Sequence, residues 1–317
     1  MTQFHSTLFD ALLLLGPAGQ PAATEGAYHS FVAPLTARLG LAPQACRLAF
    51  REVEALAAVE GWIAAGQRRI VVLPLALEET EHQHEAIYGG LDWVCAQMPG
   101  VTIQYAPIVA AQPSIILALA DGVAASLAET GEGSLTNTAI LLVGRGGYNA
   151  ETNAEIARIA RLLWEERPYG WVETAYYRQT MPGIVAGLQR CCQLGARRIV
   201  VVPYWFALGT SQRHLATQVA TFQAQQPAVP VILAPPVGNH SGIIDALART
   251  VRAAAGAQAP PRRHGHRHGH TYTASATATA LAFLPPRYRN GAVVSAAPMG
   301  AAPLVYDADG KVAWDRV

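Results

Sequence analysis

GQRRIVVLPLALEETEHQHE, residues 66–85, is the stretch whose reading decides the fold. Arg69 to Pro74 is a short apolar run ending at a proline. It lacks the polar alternation of a half-exposed strand, so it predicts a strand buried on both faces, as in a parallel sheet. The loop that follows carries Glu78, Glu79, Glu81 and Glu85, with His82 and His84 among them. Imidazoles and carboxylates at the carboxyl end of a buried parallel strand stand where α/β proteins bind ligands and do chemistry.

The stretch occurs twice. GARRIVVVPYWF at 195–206 repeats residues 66–77, TAILLVGRGG at 138–147 repeats DALLLLGPAG at 10–19, and APPVGNHSGIIDAL at 234–247 repeats APIVAAQPSIILAL at 106–119. The same order and spacing in all three pairs predict a duplicated unit. In the first copy, strands are expected at Asp10–Leu15, Cys46–Phe50, Arg69–Leu75 and Val101–Tyr105. Helices are expected over Tyr28–Leu39, Val53–Ala65 with Gly66 as its cap, part of Glu79–Met98, and Pro113–Leu127. Strands separated by helices predict an α/β fold, here two tandem flavodoxin-like domains at 1–128 and 136–256, each with a parallel four-stranded sheet. The segments after Leu15, Pro74, Leu142 and Pro203 are expected to face one another across a cleft.

Beyond Ala255 the composition changes. Residues 257–280 read as a flexible, His-rich linker containing His264, His266, His268 and His270. Residues 281–317 read as a small β-rich accessory segment that stops short of a longer domain. The chain has 317 residues, a net charge of +1 and only 14% charged residues, which argues against a nucleic-acid-binding surface. Cys46, Cys95, Cys191 and Cys192 form neither a CxxC pair nor a disulfide ladder and suit a reducing cytosol. No leader and no membrane-length apolar run is read, so the protein is expected in the cytoplasm.

The duplication, the strand–Pro–loop–His pattern, the HGHRHGH tract and the segment LLWEERPYGWVETAYYRQTMPGIVAGLQRCCQLGARRIVVVPYW at 162–205 together resemble the CbiX/SirB-type class II chelatases. The resemblance covers roughly residues 8 to 255. It implies two chelatase-like domains and ATP-independent insertion of cobalt or ferrous iron into sirohydrochlorin or a related tetrapyrrole, as in cobalamin and siroheme biosynthesis. That activity is a lyase-type chelatase reaction with the divalent metal as substrate, and no GxxxxGK[ST] nucleotide motif is present. The partner implied is the tetrapyrrole, with no nucleic acid and no membrane. A duplicated chain of this kind is expected as a pseudo-dimeric monomer or a weak homo-oligomer.

Family members end the first strand with GHGS, whose His is one of two key histidines. This chain has GPAG, with Pro17 at that place. The second key His falls eight residues after the proline of strand three, which is His82. The second copy has Arg145 and Ser211 at these two positions, while GNHSG places His240 before the last helix, where the first copy has Gln112. Neutral imidazole can hold a transition ion and accept a proton near neutral pH, and carboxylates favour a hydrated divalent ion. The catalytic candidates are therefore His82 and His84, the latter on the same face of an extended loop and able to stand in for the absent first histidine. The metal candidates are His82, His84, Glu78, Glu81, His240 and the four tract histidines. A solvated acidic helix start explains the loop equally well, and capping or packing explains His240. Arg145, Arg178, Arg213 and His214 are candidates for the carboxylates of a macrocycle. Tyr204 is a candidate for stacking on it, or else a core residue. Pro17 leaves a second reading open, that of a chelatase fold that has lost catalysis and binds or delivers a tetrapyrrole or metal.

Overall fold

The computed structural model describes residues 8–17, 22–78, 84–109, 111–130, 134–165, 167–206, 209–238 and 240–256, and the backbone of 288–289 and 292–293. The first copy runs β1 (Ala11–Leu15), α1 (Ala22–His29), α2 (Val32–Leu39), β2 (Cys46–Ala49), α3 (Glu52–Ala64), β3 (Arg69–Pro74), α4 (Glu85–Gln97), β4 (Thr102–Tyr105) and α5 (Pro113–Ala128). The second runs β5 (Thr138–Gly144), α6 (Ala150–Trp164), β6 (Trp171–Tyr176), α7 (Ile184–Gln193), β7 (Arg198–Pro203), α8 (Thr210–Gln225), β8 (Val231–Leu233) and α9 (Ser241–Gly256). The strands form two four-stranded sheets, ordered β2-β1-β3-β4 and β6-β5-β7-β8, and every pairing within them is parallel. The fold is thus α/β and duplicated, as the repeat implied.

The apolar runs bury both faces. Ala11, Leu13 and Leu15 of β1 join Val59, Trp62 and Leu91 of α3 and α4 in one cluster. The intervening Leu12 and Leu14 face inward, as do Ile140 and Leu142 of β5, in a second cluster drawn from both copies. Ala139, Leu141 and Val143 meet Leu188 of α7 and Leu215 of α8 in a third. The period-two alternation of a strand thus appears as a choice between two apolar environments rather than between core and water.

The predicted helix Tyr28–Leu39 is broken into α1 and α2. Pro34 has no N–H to give the Ser30 carbonyl, so one helix cannot run through this point. Gly66 ends α3 with φ +89°, and Gly195 ends α7 with φ +92°. The following N–H groups, from Gln67 and Ala196, reach back to Trp62 and Cys191, so both GxRR stretches close a helix by the same left-handed turn before a strand begins.

The central cluster exists because the last helices are exchanged. Helix α5 of the first copy packs on β7 and β8, and α9 of the second packs on α2, β3 and β4. The two helices also pack on each other, where a Cβ on Gly242 would lie 2.6 Å from the Ser114 carbonyl oxygen. Two cross-copy pairs join them: His240 with Asp121 at 3.2 Å, and Arg249 with the Gln112 side-chain oxygen at 3.1 and 3.2 Å. Gln112 and His240 stand at corresponding positions of the repeat, as do Asp121 and Arg249. The pairs are therefore reciprocal. Residues 1–264 form one compact unit.

Residues 265–317 form a second unit, in which Tyr288–Arg289 pairs antiparallel with Ala292–Val293. The His-rich linker, with His264, His266, His268 and His270, lies outside the described residues. No helix among the described residues is long and apolar enough to cross a membrane.

Candidate functional site

The carboxyl ends of β1, β3, β5 and β7 converge. Beyond each central strand the chain stays hydrogen-bonded to its neighbour, with Leu75 N–H donating to Leu15 O and Tyr204 N–H to Val143 O, both at 2.8 Å. This registers the next residues against the ends of β1 and β5. Pro17, Tyr28, Leu77, Glu78, Arg145 and Tyr204 line one shared cavity of about 20 Å³. That is room for about one water molecule and not for a macrocycle.

Glu78 crosses from one copy to the other. It is 5% exposed, and its carboxylate accepts the Arg145 N–H at 2.8 and 3.0 Å. The Gly146 N–H also bonds to it. Gly146 can turn there because its φ is +75°, and a Cβ would lie 2.1 Å from the Arg178 carbonyl oxygen. Burial pushes the Glu78 carboxyl up to about 7, against the lowering effects of these N–H groups and of the Arg145 charge. Expected on a metal-delivery loop, Glu78 is turned inward and fills the glycine-rich turn that the sequence reading reserved for a substrate carboxylate.

His84 is 8% exposed and caps the start of α4. Its Nε2 lies 3.0 Å from the Gly16 carbonyl oxygen, and its ring meets Tyr88 edge-on at 5.9 Å. The imidazole therefore reaches the end of β1 beside Pro17, where the resemblance puts a histidine. Residue 16 must be glycine for a different neighbour: a Cβ there would lie 2.1 Å from the Phe50 ring. His82, Glu79 and Glu81 lie outside the described residues. Among the described residues no three His, Cys, Asp or Glu side chains are grouped to hold a metal.

The second copy presents a different surface. The loop after β5 is stitched to the loop after β6: Arg178 N–H donates to Arg145 O at 2.8 Å, and Thr180 Oγ1 to Gly147 O at 2.8 Å. Asn153 of α6 clasps Gly147 from both sides, and Asn149 caps α6 through the N–H groups of Glu151 and Thr152. On this braced pair of loops Tyr148 is 77% and Met181 78% exposed. Arg178 lies over the Tyr177 ring at 4.9 Å, and the other edge of Tyr177 meets His214 at 5.2 Å. Neither Arg145 nor Arg178 forms a salt bridge among the described residues, whereas Arg51, just past β2 in the first copy, is ion-paired to both Glu25 and Glu54. The arginines are legible in the sequence, whereas Tyr148 and Met181 are not, because only the loop geometry reveals their exposure.

The remaining expected residues are dispersed. Arg213 and His214 are exposed on the first turn of α8, with Gln218 donating to His214 Nε2. Tyr204 is 1% exposed in the central cluster, so its ring has no open face to stack on, and its hydroxyl has no hydrogen-bond partner among the described residues. Burial and the nearby Glu78 and Glu155 charges push that hydroxyl well above the ordinary tyrosine range. His240 uses both ring nitrogens: Nδ1 accepts the Gly242 N–H at 3.1 Å and Nε2 faces Asp121.

These features define a class: a duplicated α/β protein whose two sheets bring the carboxyl ends of their strands together, one carrying imidazole and carboxylate, the other arginine without an ion pair among the described residues. The sequence pattern of the CbiX family matches the chain twice, over residues 22–126 and 139–254. The chain belongs to the CbiX family. It is 29% identical over 200 residues to a sirohydrochlorin cobaltochelatase of Priestia megaterium, covering 62% of this chain and 64% of that protein's length. It is 25% identical over 193 residues to a sirohydrochlorin ferrochelatase of the same organism, covering 61% of this chain and 70% of the other. SirB from Bacillus subtilis with Fe3+ shares the fold at a TM-score of 0.65 and 20% identity, covering 78% of this chain and 95% of that one.

Proposed function

We propose that this protein inserts a divalent metal, Co2+ or Fe2+, into sirohydrochlorin or a closely related tetrapyrrole in the cytoplasm, without a nucleotide. The observation that carries this reading is the double CbiX match laid over two sheet edges that meet at the Glu78–Arg145 contact. The names of the cobalt and iron relatives support the metals and the macrocycle. In the reaction the ion enters as substrate, two pyrrole nitrogens each give up a proton, and the metallated macrocycle leaves. The family register gives His82 the role of ligand or proton acceptor, with Glu81 beside it. Arg145 and Arg178 take the macrocycle's carboxylates, and Tyr148 and Met181 offer apolar contact to its flat face. His84 holds the end of β1, and the tract histidines bind metal before transfer.

Metal insertion followed by the absorption change of the macrocycle tests the reading. His82→Ala should slow it at least ~100-fold, the usual scale for losing a general base or ligand. An unchanged rate would remove the assignment. Pro17 favours a second reading, a protein that binds or delivers a tetrapyrrole without turning it over. Tight binding without turnover in the parent, with activity appearing in Pro17→His, would select that reading.

A further inference from the structure

A second cavity, which shares no lining residue with the first, lies between α5 and the chain that leads from β8 into α9. It measures about 280 Å³ and is lined by Ala118, Gly122 and Ala125 of α5, Val202 of β7, and Pro235 and Pro236. Asp121 and His240 are the polar side chains in its lining. Gly122 is the one glycine in its lining. The repeat puts Thr250 where α5 has Gly122, and Thr250 is buried with its hydroxyl bonded to Ala246 O. A Cβ on Gly122 would meet nothing within 4 Å. Glycine inside a helix lowers its stability, and the cavity is open to solvent on the side of Asp121, whose side chain is 51% exposed. Here a helical glycine and an open cavity occur together beside a preset polar pair.

That pair fixes the chemistry of the occupant. His240 Nδ1 is taken by the Gly242 N–H, so the ring proton sits on Nε2 and is directed at Asp121 Oδ2. The imidazole holds the carboxylate in place and offers no acceptor of its own. Among the described residues no lysine or arginine pairs with Asp121. What remains is a carboxylate with open lone pairs beside an apolar, proline-walled cavity, the usual composition of a small-molecule site. We infer that this cavity binds a small organic cation, an aromatic or aliphatic body carrying a primary ammonium that pairs with Asp121. The inference stands on this cavity alone, independently of the reaction at the strand ends.

Calorimetry on the full chain with 2-naphthylmethylammonium, 2-naphthylmethanol and 2-naphthoate tests it. The ammonium should bind saturably and the alcohol about tenfold more weakly, as expected for losing one charged hydrogen bond. The naphthoate should not bind. Asp121→Asn should bring the ammonium down to the affinity of the alcohol, and Gly122→Leu should abolish binding of both. Equal binding of ammonium and naphthoate, or unchanged binding in Gly122→Leu, would overturn the inference. Should Gly122→Leu fail to fold, amide shift mapping on the parent decides: ammonium-induced shifts must centre on Gly122 and Val237, and shifts centred elsewhere overturn it.

Discussion

After β3 the first copy sends an acid, Glu78, into the interior; after β7 the second sends Tyr204, Trp205 and Phe206, all buried. At the end of β1 stands Pro17, and at the end of β5 stands Arg145 with no ion pair among the described residues. The two halves share strand order, turns and helix exchange, yet in the loops after β1 and β5 and after β3 and β7 they differ in charge. The shared backbone shows that the duplication fixed the architecture. The divergent loops give the halves different side chains: the first supplies the acid that ties the copies together, the second the arginines to which the proposed function assigns the macrocycle's carboxylates.

The largest test of that division is the tie itself. Glu78→Ala leaves the Arg145 and Gly146 N–H groups buried without an acceptor, and should cost about 2–4 kcal/mol in equilibrium denaturation. A loss under about 0.5 kcal/mol would show that the Glu78 contact does not hold the copies together. Glu78→Gln separates charge from hydrogen bonding. The Glu78 carboxyl is raised in the folded protein from 4.5 to about 7, so the native state holds that proton more tightly than the unfolded chain. Its contribution is fully present below pH 4.5 and is lost as pH rises through about 7. Wild type should therefore lose at most about 3 kcal/mol relative to Glu78→Gln over that window.

The second test concerns the arginines. Binding of an octacarboxylate porphyrin, followed by fluorescence quenching, should weaken about tenfold in Arg145→Ala and in Arg178→Ala, the scale of one charge-assisted contact. Arg51→Ala should leave binding unchanged, because Arg51 is already paired with Glu25 and Glu54. Equal effects from all three would mean that both copies contact the ligand, and the proposed asymmetry would fail.

The parallel sheets were legible because a run such as Ile70 to Leu73 has no polar face to offer water, and the turns were legible because Gly66 and Gly195 sit where only a left-handed residue closes the helix. The exchange of α5 and α9 was not legible. Both helices carry a broad apolar face, and nothing in their local pattern states which sheet it covers; the contacts that mark the exchange, such as Arg249 with Gln112, join residues far apart in sequence. At the site, Arg145 could be named from its glycine-rich setting. The inward turn of Glu78 could not, because a cluster of glutamates reads as a solvated helix start until the partner N–H groups are located across the copy boundary.

The reciprocal pairs give a third, smaller test. His240→Ala and Arg249→Ala should each cost about 0.5–1 kcal/mol, since these pairs are partly exposed and screened. Double-mutant cycles over His240–Asp121 and over Gln112–Arg249 should give comparable couplings of about 0.5 kcal/mol if the exchange is locked symmetrically. A coupling confined to one pair would place the lock at that end of the α5–α9 contact.

The smallest effect separates Gly122 from its counterpart and from glycines that the packing requires. Gly122→Ala adds a methyl group to open space and removes the flexibility of a helical glycine, so thermal unfolding should show a gain of up to about 1 kcal/mol. Gly187→Ala on α7 should do the opposite, because its Cβ would lie 2.9 Å from Ala175 Cβ and from Leu141 Cδ1, where the helix rests on the sheet. The same substitution at two helical glycines thus changes sign with what stands behind it. A loss of stability in Gly122→Ala would mean that α5 closes against the chain leading into α9 in solution, and the contrast with Thr250 would then be one of packing rather than of a space kept open.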